Sequence, residues 1–253
     1  RDTDRSRGLG DVYKRQVVSL TILLGAGLGR LLKMDRDTAL LTSIGSSICG
    51  AAAVLGAEPV VKSKPYKAAV AVSTVVIFGT LSMFLYPALY RAGMLNLTTE
   101  QMGLFTGATL HEVAHVVGAG NAMGQAISDP AIIVKMIRVM MLAPVLVILS
   151  IILARRDSAA GGNSEKRKIT IPWFAFLFLA VIGFNSLHLL PAELVDAINT
   201  LDTFLLTMAM TALGAESSFE KFKKAGARPF LLAGLLYVWL FFGGYWLVKL
   251  ISF

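Results

Sequence analysis

Charge is what this sequence has least of. Asp, Glu, Lys and Arg make up 16% of its 253 residues, where a soluble domain carries roughly 25%. So few charges cannot cover an ordinary soluble surface. Cysteine is nearly missing too: Cys49 alone permits no internal disulfide, which excludes a disulfide-stapled secreted scaffold. The alternating ten-residue strands of a membrane barrel are absent. In place of these stand apolar runs long enough to span a bilayer, with 55% hydrophobic residues and a mean hydropathy of +0.68. The net charge of +8 therefore reads as loop charge on a membrane protein, not as a nucleic-acid footprint.

The opening RDTDRSRGLGDVYKRQ resembles translated sequencing-adapter read-through, and apolar sequence starts abruptly at Val17. Residues 1–16 are expected to lie outside the fold. The rest carries 19 basic and 13 acidic residues, a net +6. Residues 17–154 and 171–253 are expected to be membrane domains, and the glycine-rich basic stretch 155–170 a flexible loop between them.

Eight candidate spans follow from the hydropathy pattern: 17–32, 37–61, 68–90, 101–120, 129–154, 171–190, 192–215 and 227–251. Ser128 or Asp129 followed by Pro130 reads as the start of the fifth. Helices are expected, because lipid-exposed backbone must satisfy its own hydrogen bonds. If every segment crosses, Lys33, Arg36, Arg91, Arg155 and the later basic loops share one side. Lys62, Lys64, Lys67 and Lys249 fall on the other. The first side is then cytoplasmic and the C-terminus outside.

The tetrapeptide LGAE occurs at Leu55–Glu58 and again at Leu213–Glu216, 158 residues on. Each copy is preceded by a span and followed by a basic loop and another span. Five segments separate the copies, so the second crosses in the opposite sense. That is an inverted repeat, the pattern of many secondary transporters.

Binding chemistry is expected where small and polar residues interrupt the spans. Ser46, Ser47, Cys49 and Gly50 offer hydroxyls and amides to an anion. Lys135 and Arg138, at i and i+3 within a span, read as anion contacts or as structural partners for Glu58 or Glu112. Asp202, Asn185 and His188 are further intramembrane polar residues. HEVAH, at His111, Glu112 and His115, fits the helical zinc-protease pattern H-E-x-x-H. A zinc site needs a third protein ligand, and the alternative is a polar cavity or proton relay.

GSSICGAAAVLGAEPVV, VSTVVIFGTLSMFLYPALY, GATLHEVAHVVGAG, KMIRVMMLAP, KITIPWFAFLFL and LDTFLLTMAMTALG resemble, in order, the signatures of the YeiH-like sulfate-exporter family. The resemblance covers nearly all of the chain from Val17, without roughly the first hundred residues of a typical member. It departs at His115, where members often carry Gln. It implies an all-α polytopic protein of the bacterial inner membrane, similar in fold to bile acid:sodium symporters. Such a fold has inverted five-helix repeats and two broken crossing helices, expected here at 37–61 and 192–215, with about eight helices present. It also implies a non-enzymatic exporter of a small anion such as sulfate or an organosulfonate. Proton or sodium coupling is expected, with no cofactor, no resident metal and no nucleic-acid partner, and homo-oligomerisation is left open. An intramembrane zinc protease and a non-transporting sensor are the rival readings.

Overall fold

The computed structural model describes residues 2–159, 177, 180, 181, 183–187, 189–216 and 226–251. Side chains are described for 17–155 and most later positions. Every regular element among them is helical: α1 (Asp2–Leu31), α2 (Arg36–Ser47), α3 (Ala51–Val61), α4 (Pro65–Arg91), α5 (Thr99–Thr109), α6 (Val113–Met123), α7 (Gln125–Met140), α8 (Leu142–Ala159), α9 (Ala192–Glu216), α10 (Ala227–Val238) and α11 (Gly244–Ile251). A short π-helix, Trp239–Gly243, joins the last two. Backbone helix α1 extends through the segment set aside from the sequence. Among the described residues three helices are long and apolar enough to cross a membrane: 65–91, 125–155 and 227–250. The chain is an all-α membrane protein.

Two of the eight expected spans do not cross. Segment 37–61 folds as α2, a break at residues 48–50, and α3. Lys67, at the start of α4, bonds Asp37 at 2.8 Å and lies 2.7 Å from Asp35, both at the start of α2. A Cβ on Gly45 would meet the side chains of Val54 on α3 and Val75 on α4. So α2 runs inward beside α4, and α3 returns to the side where it started. The reason is local. Gly50 takes φ +73 and ψ −132, a backbone that residues with a Cβ rarely adopt, and Lys62 ends α3 in a left-handed turn.

Segment 101–120 behaves likewise, as α5, a break at 110–112, and α6. Gly103 packs against Ile127 and Pro130, and Gly107 against Ala131 and Val134, so α5 runs parallel to α7. Gly120 and Asn121 meet Ser128, so α6 runs antiparallel to it. Arg91, the last residue of α4, donates to Ala122 O at 2.7 Å. This second hairpin therefore enters from the far end of α4. Glycine lets backbones approach closely at these contacts, as in other helix pairs within lipid. Thr98 and Gln101 close α5 with a reciprocal capping box.

Helix α4, 27 residues long, is the post between the hairpins. Hairpin A (α2–α3) enters beside its N-terminus and hairpin B (α5–α6) beside its C-terminus. Tip B lies against Gly79, about 21 Å along a helix of about 40 Å. The two tips thus meet near mid-height. Two further sequence expectations give way here. α7 starts at Gln125, with Pro130 inside it rather than at its first turn. And α9 is an unbroken 25-residue helix, so the second broken element is 99–123, not 192–215.

The topology also revises the loop count. Counted from Val17, Lys33, Arg36, Lys62, Lys64, Lys67, Arg155 and Arg228 gather at the hairpin A end. Arg228 there bonds Lys33 O. Arg91 and Lys249 lie at the other end. The asymmetry is sharper than the sequence suggested, because Lys62, Lys64 and Lys67 change sides. By the positive-inside rule the hairpin A end is the one expected to face the cytoplasm.

Candidate functional site at the hairpin tips

Four half-helix ends converge at the tips. The C-terminal ends of α2 and α5 present unpaired carbonyls, and the N-terminal ends of α3 and α6 present unpaired amides. In water these groups would be hydrated. Buried in a membrane protein they need partners from the chain, and α7 supplies them.

Lys135 and Arg138 are both fully buried. The Lys135 ammonium donates to Ile48 O at 2.9 Å, Leu110 O at 2.8 Å and His111 O at 2.5 Å. The Arg138 guanidinium donates to Ser47 O at 2.5 Å, Ala108 O at 2.5 Å, Leu110 O at 3.2 Å and Gly107 O at 3.4 Å. Each side chain holds carbonyls of both hairpins. Positive charge at helix C-termini also complements the helix dipole. The i, i+3 spacing seen in the sequence puts both on one face, but that face meets backbone. The expected partners Glu58 and Glu112 bond neither: Glu58 is half-buried on α3 about 10 Å from the tip.

Glu112 reaches across the gap. Its Oε1 accepts from Ala51 N at 3.1 Å, so hairpin B caps the return helix of hairpin A. This crossing explains Gly50 a second time, since a Cβ there would collide with the Glu112 side chain. Glu112 Oε2 lies 3.9 Å from His115 Nε2, and His115 Nε2 is 3.4 Å from Thr80 Oγ1. Glu112 Oε2, Ser46 Oγ, His111 Nδ1 and His115 Nδ1 have no hydrogen-bond partner among the described residues. Buried polar atoms without partners are uncommon, and these four cluster at the tips. Ser47 is spent locally, donating to Ile44 O at 3.0 Å. Cys49 is buried beside it as a free thiol.

The site thus unites Ser46, Ser47, Cys49, Gly50, His111, Glu112, His115, Lys135 and Arg138. Asn185 and Asp202 are exposed and take no part in it, and His188 lies outside the described residues. The zinc pattern fails on geometry. α6 starts at Val113, so His111 sits in the break and the two histidines do not share one turn of helix. Among the described residues no three His, Cys, Asp or Glu side chains gather as a metal would need.

Sequence reasoning missed tip B as the partner of tip A, although a signal was present. At an offset of 62 residues, Gly45, Ala52, Val54, Gly56 and Ala57 match Gly107, Ala114, Val116, Gly118 and Ala119. This spacing superposes the two breaks and pairs α3 with α6, both 11 residues long. Crossing α4 between the copies inverts the second. The LGAE match at 158 instead pairs α3 with the end of unbroken α9.

The family described as Conserved hypothetical protein 698 matches residues 8–233. The chain belongs to this family. It is 68% identical over 237 residues to a UPF0324 membrane protein of Bacteroides thetaiotaomicron, covering 93% of the chain and 70% of the relative. It is 54% identical over 236 residues to a UPF0324 membrane protein of Bordetella bronchiseptica, covering 92% and 73%. It is 52% identical over 229 residues to the UPF0324 inner membrane protein YeiH of Escherichia coli K12, covering 90% and 65%. No solved structure matches. With its apolar helices, this family membership makes the chain a multi-pass inner-membrane protein of the YeiH-like group.

Proposed function

We propose that the chain is the core of a secondary transporter that exports a small anion, such as sulfate or an organosulfonate, by alternating access. The observation that carries this reading is the pair of opposed hairpins meeting at mid-height. Irregular backbone at membrane depth is tolerated only where it is buried or lines a cavity, and inverted elements with broken helices at the midplane mark transport sites.

Charge favours an anion. Lys135 and Arg138 contribute two positive charges and Glu112 one negative. The two helix C-termini and two N-termini, each about half a charge, cancel. Cations thus outnumber carboxylates among these described side chains, a setting that suits an oxyanion better than a cation. Ser46 Oγ, His111 Nδ1 and His115 Nδ1, without a partner among the described residues, are polar atoms that could meet the oxyanion. Lys135 and Arg138 would act at a distance, because their hydrogen bonds already go to backbone carbonyls. Glu112 and His115 are the candidates for coupling to a proton, and a sodium ion is the other coupling option.

The test is flux into proteoliposomes holding the purified chain. Radiolabelled sulfate and taurine would be offered under an imposed pH or sodium gradient. Saturable uptake that falls at least tenfold in Ser46→Ala is the expected result. Absence of flux for every oxyanion and sulfonate offered, by a folded protein, would discard the transporter reading in favour of a sensor.

A further inference from the structure

The three oxygens around the Lys135 ammonium are all backbone carbonyls: Ile48 from hairpin A, Leu110 and His111 from hairpin B. No carboxylate lies within ion-pair distance of Lys135 among the described residues. An ammonium has three donors and no acceptor, so this set saturates it. Carbonyls at broken-helix C-termini are what transporters use to strip and hold an alkali cation, and rings of carbonyls do so in channels. Each hairpin supplies only part of the cage. It is completed only where the hairpins meet, and the dipoles of α2 and α5 aim their negative ends at it.

We propose that this cage is an alkali-cation site of the fold, permanently filled by the protein's own Lys135 ammonium. An ammonium is close to potassium in size, and the 2.8 and 2.9 Å to Leu110 O and Ile48 O suit either ion, with His111 O drawn closer. The charge that closes the tips is therefore covalently resident. While the ammonium occupies the cage, external sodium has no place to enter. The cage itself does not depend on the transport reading. Its consequence for transport does: coupling passes from sodium to the Glu112–His115 pair.

The test reads stability alone, so its failure and the failure of the transport reading are distinguishable. The detergent-solubilised chain, with Lys135→Ala and Lys135→Met, would be melted in choline, sodium, potassium, ammonium and methylammonium chlorides at one ionic strength. Ions that bind the native state raise its apparent stability by mass action. The wild-type midpoint should be the same in all five salts. Lys135→Ala should melt lower in choline and recover, saturably, in potassium, ammonium or methylammonium. Lys135→Met, whose side chain fills the cage without charge, should melt lower and ignore the salt. If Lys135→Ala is recovered folded from membranes only when potassium or ammonium is present, that is the same result. A wild-type midpoint that climbs saturably with sodium overturns the proposal. So does a Lys135→Ala protein that responds no better than Lys135→Met, or one never recovered folded in any salt while Lys135→Met is.

Discussion

The two hairpins have the same plan and different chemistry at their tips. Each has an inbound half-helix, a three-residue break and an 11-residue return helix. At the last residue of the break hairpin A has Gly50 and hairpin B has Glu112, 62 residues apart. The difference makes them interlock. Glycine clears the space through which the glutamate crosses, and the glutamate caps the helix that follows the glycine. The helices after the hairpins differ in the same way: α7 carries Lys135 and Arg138 where α4 has Ser73 and Val76. A symmetric pair would have put two carboxylates, or none, at the meeting point. The asymmetric pair places one carboxylate beside two cations among the described residues.

The largest expected effect breaks both hairpins at once. Arg138→Gln removes a fork that joins Ser47 O to the carbonyls of Gly107 and Ala108. Orphaned buried carbonyls cost roughly 1–3 kcal/mol each. A loss on the order of 3 kcal/mol is expected, read as a lower melting midpoint, and a midpoint unchanged within error would refute the bridging role.

Next comes the interlock itself. Gly50→Ala forces a left-handed backbone on a residue with a Cβ and pushes that Cβ into Glu112, at roughly 1–3 kcal/mol. In a Glu112→Ala background the second part of that cost should vanish. A double-mutant cycle should therefore show coupling of about 1 kcal/mol or more. Additive losses would mean that the two residues do not touch.

Glu112→Gln is milder for stability, since an amide oxygen still accepts from Ala51 N. A loss of about 1 kcal/mol or less is expected, together with loss of the pH dependence of flux. Retained pH dependence would move the coupling group elsewhere.

The smallest effect separates the hairpin entrances. Asp35 caps α2, with the Thr38 amide donating to it, and pairs with Lys67, whereas Thr98 caps α5 without a charge. Burial works against the Asp35 charge, but bonds from Lys67 and Thr38 outweigh it and hold the carboxyl below its usual range. A carboxyl lowered in the folded state stabilises above its unfolded pKa, and that contribution fades as pH falls through the folded value. Asp35→Asn should therefore flatten part of the acid-side decline in melting midpoint, while Thr98→Ala should not change its slope. The exposed setting of Asp35 keeps the effect small. Parallel pH profiles for the two variants would show that the Lys67 pair contributes nothing.

Much of this was legible along the chain. Apolar run lengths gave the membrane class, and SIGSSICGAAA flagged tip A because glycine and serine destabilise a helix interior. Two buried cations within a span signalled a partner. What the partner is could not be read, because carbonyls belong to every residue and leave no mark in the sequence. Tip B was concealed by HEVAH, whose pattern fits a zinc helix as well as a break. Asp202 read as a site residue from sequence, but it is exposed on α9, away from the tips.

Composition and run length alone determined that this chain lives in a bilayer, since burial of apolar area needs no partner identity. The basic loops determined its polarity once the crossings were known. Whether a 25-residue apolar segment crosses or turns back was decided by tertiary structure. A turn at membrane depth is stable only if other elements satisfy the broken backbone, and here those groups come from α7 and from the opposite hairpin, far away in sequence.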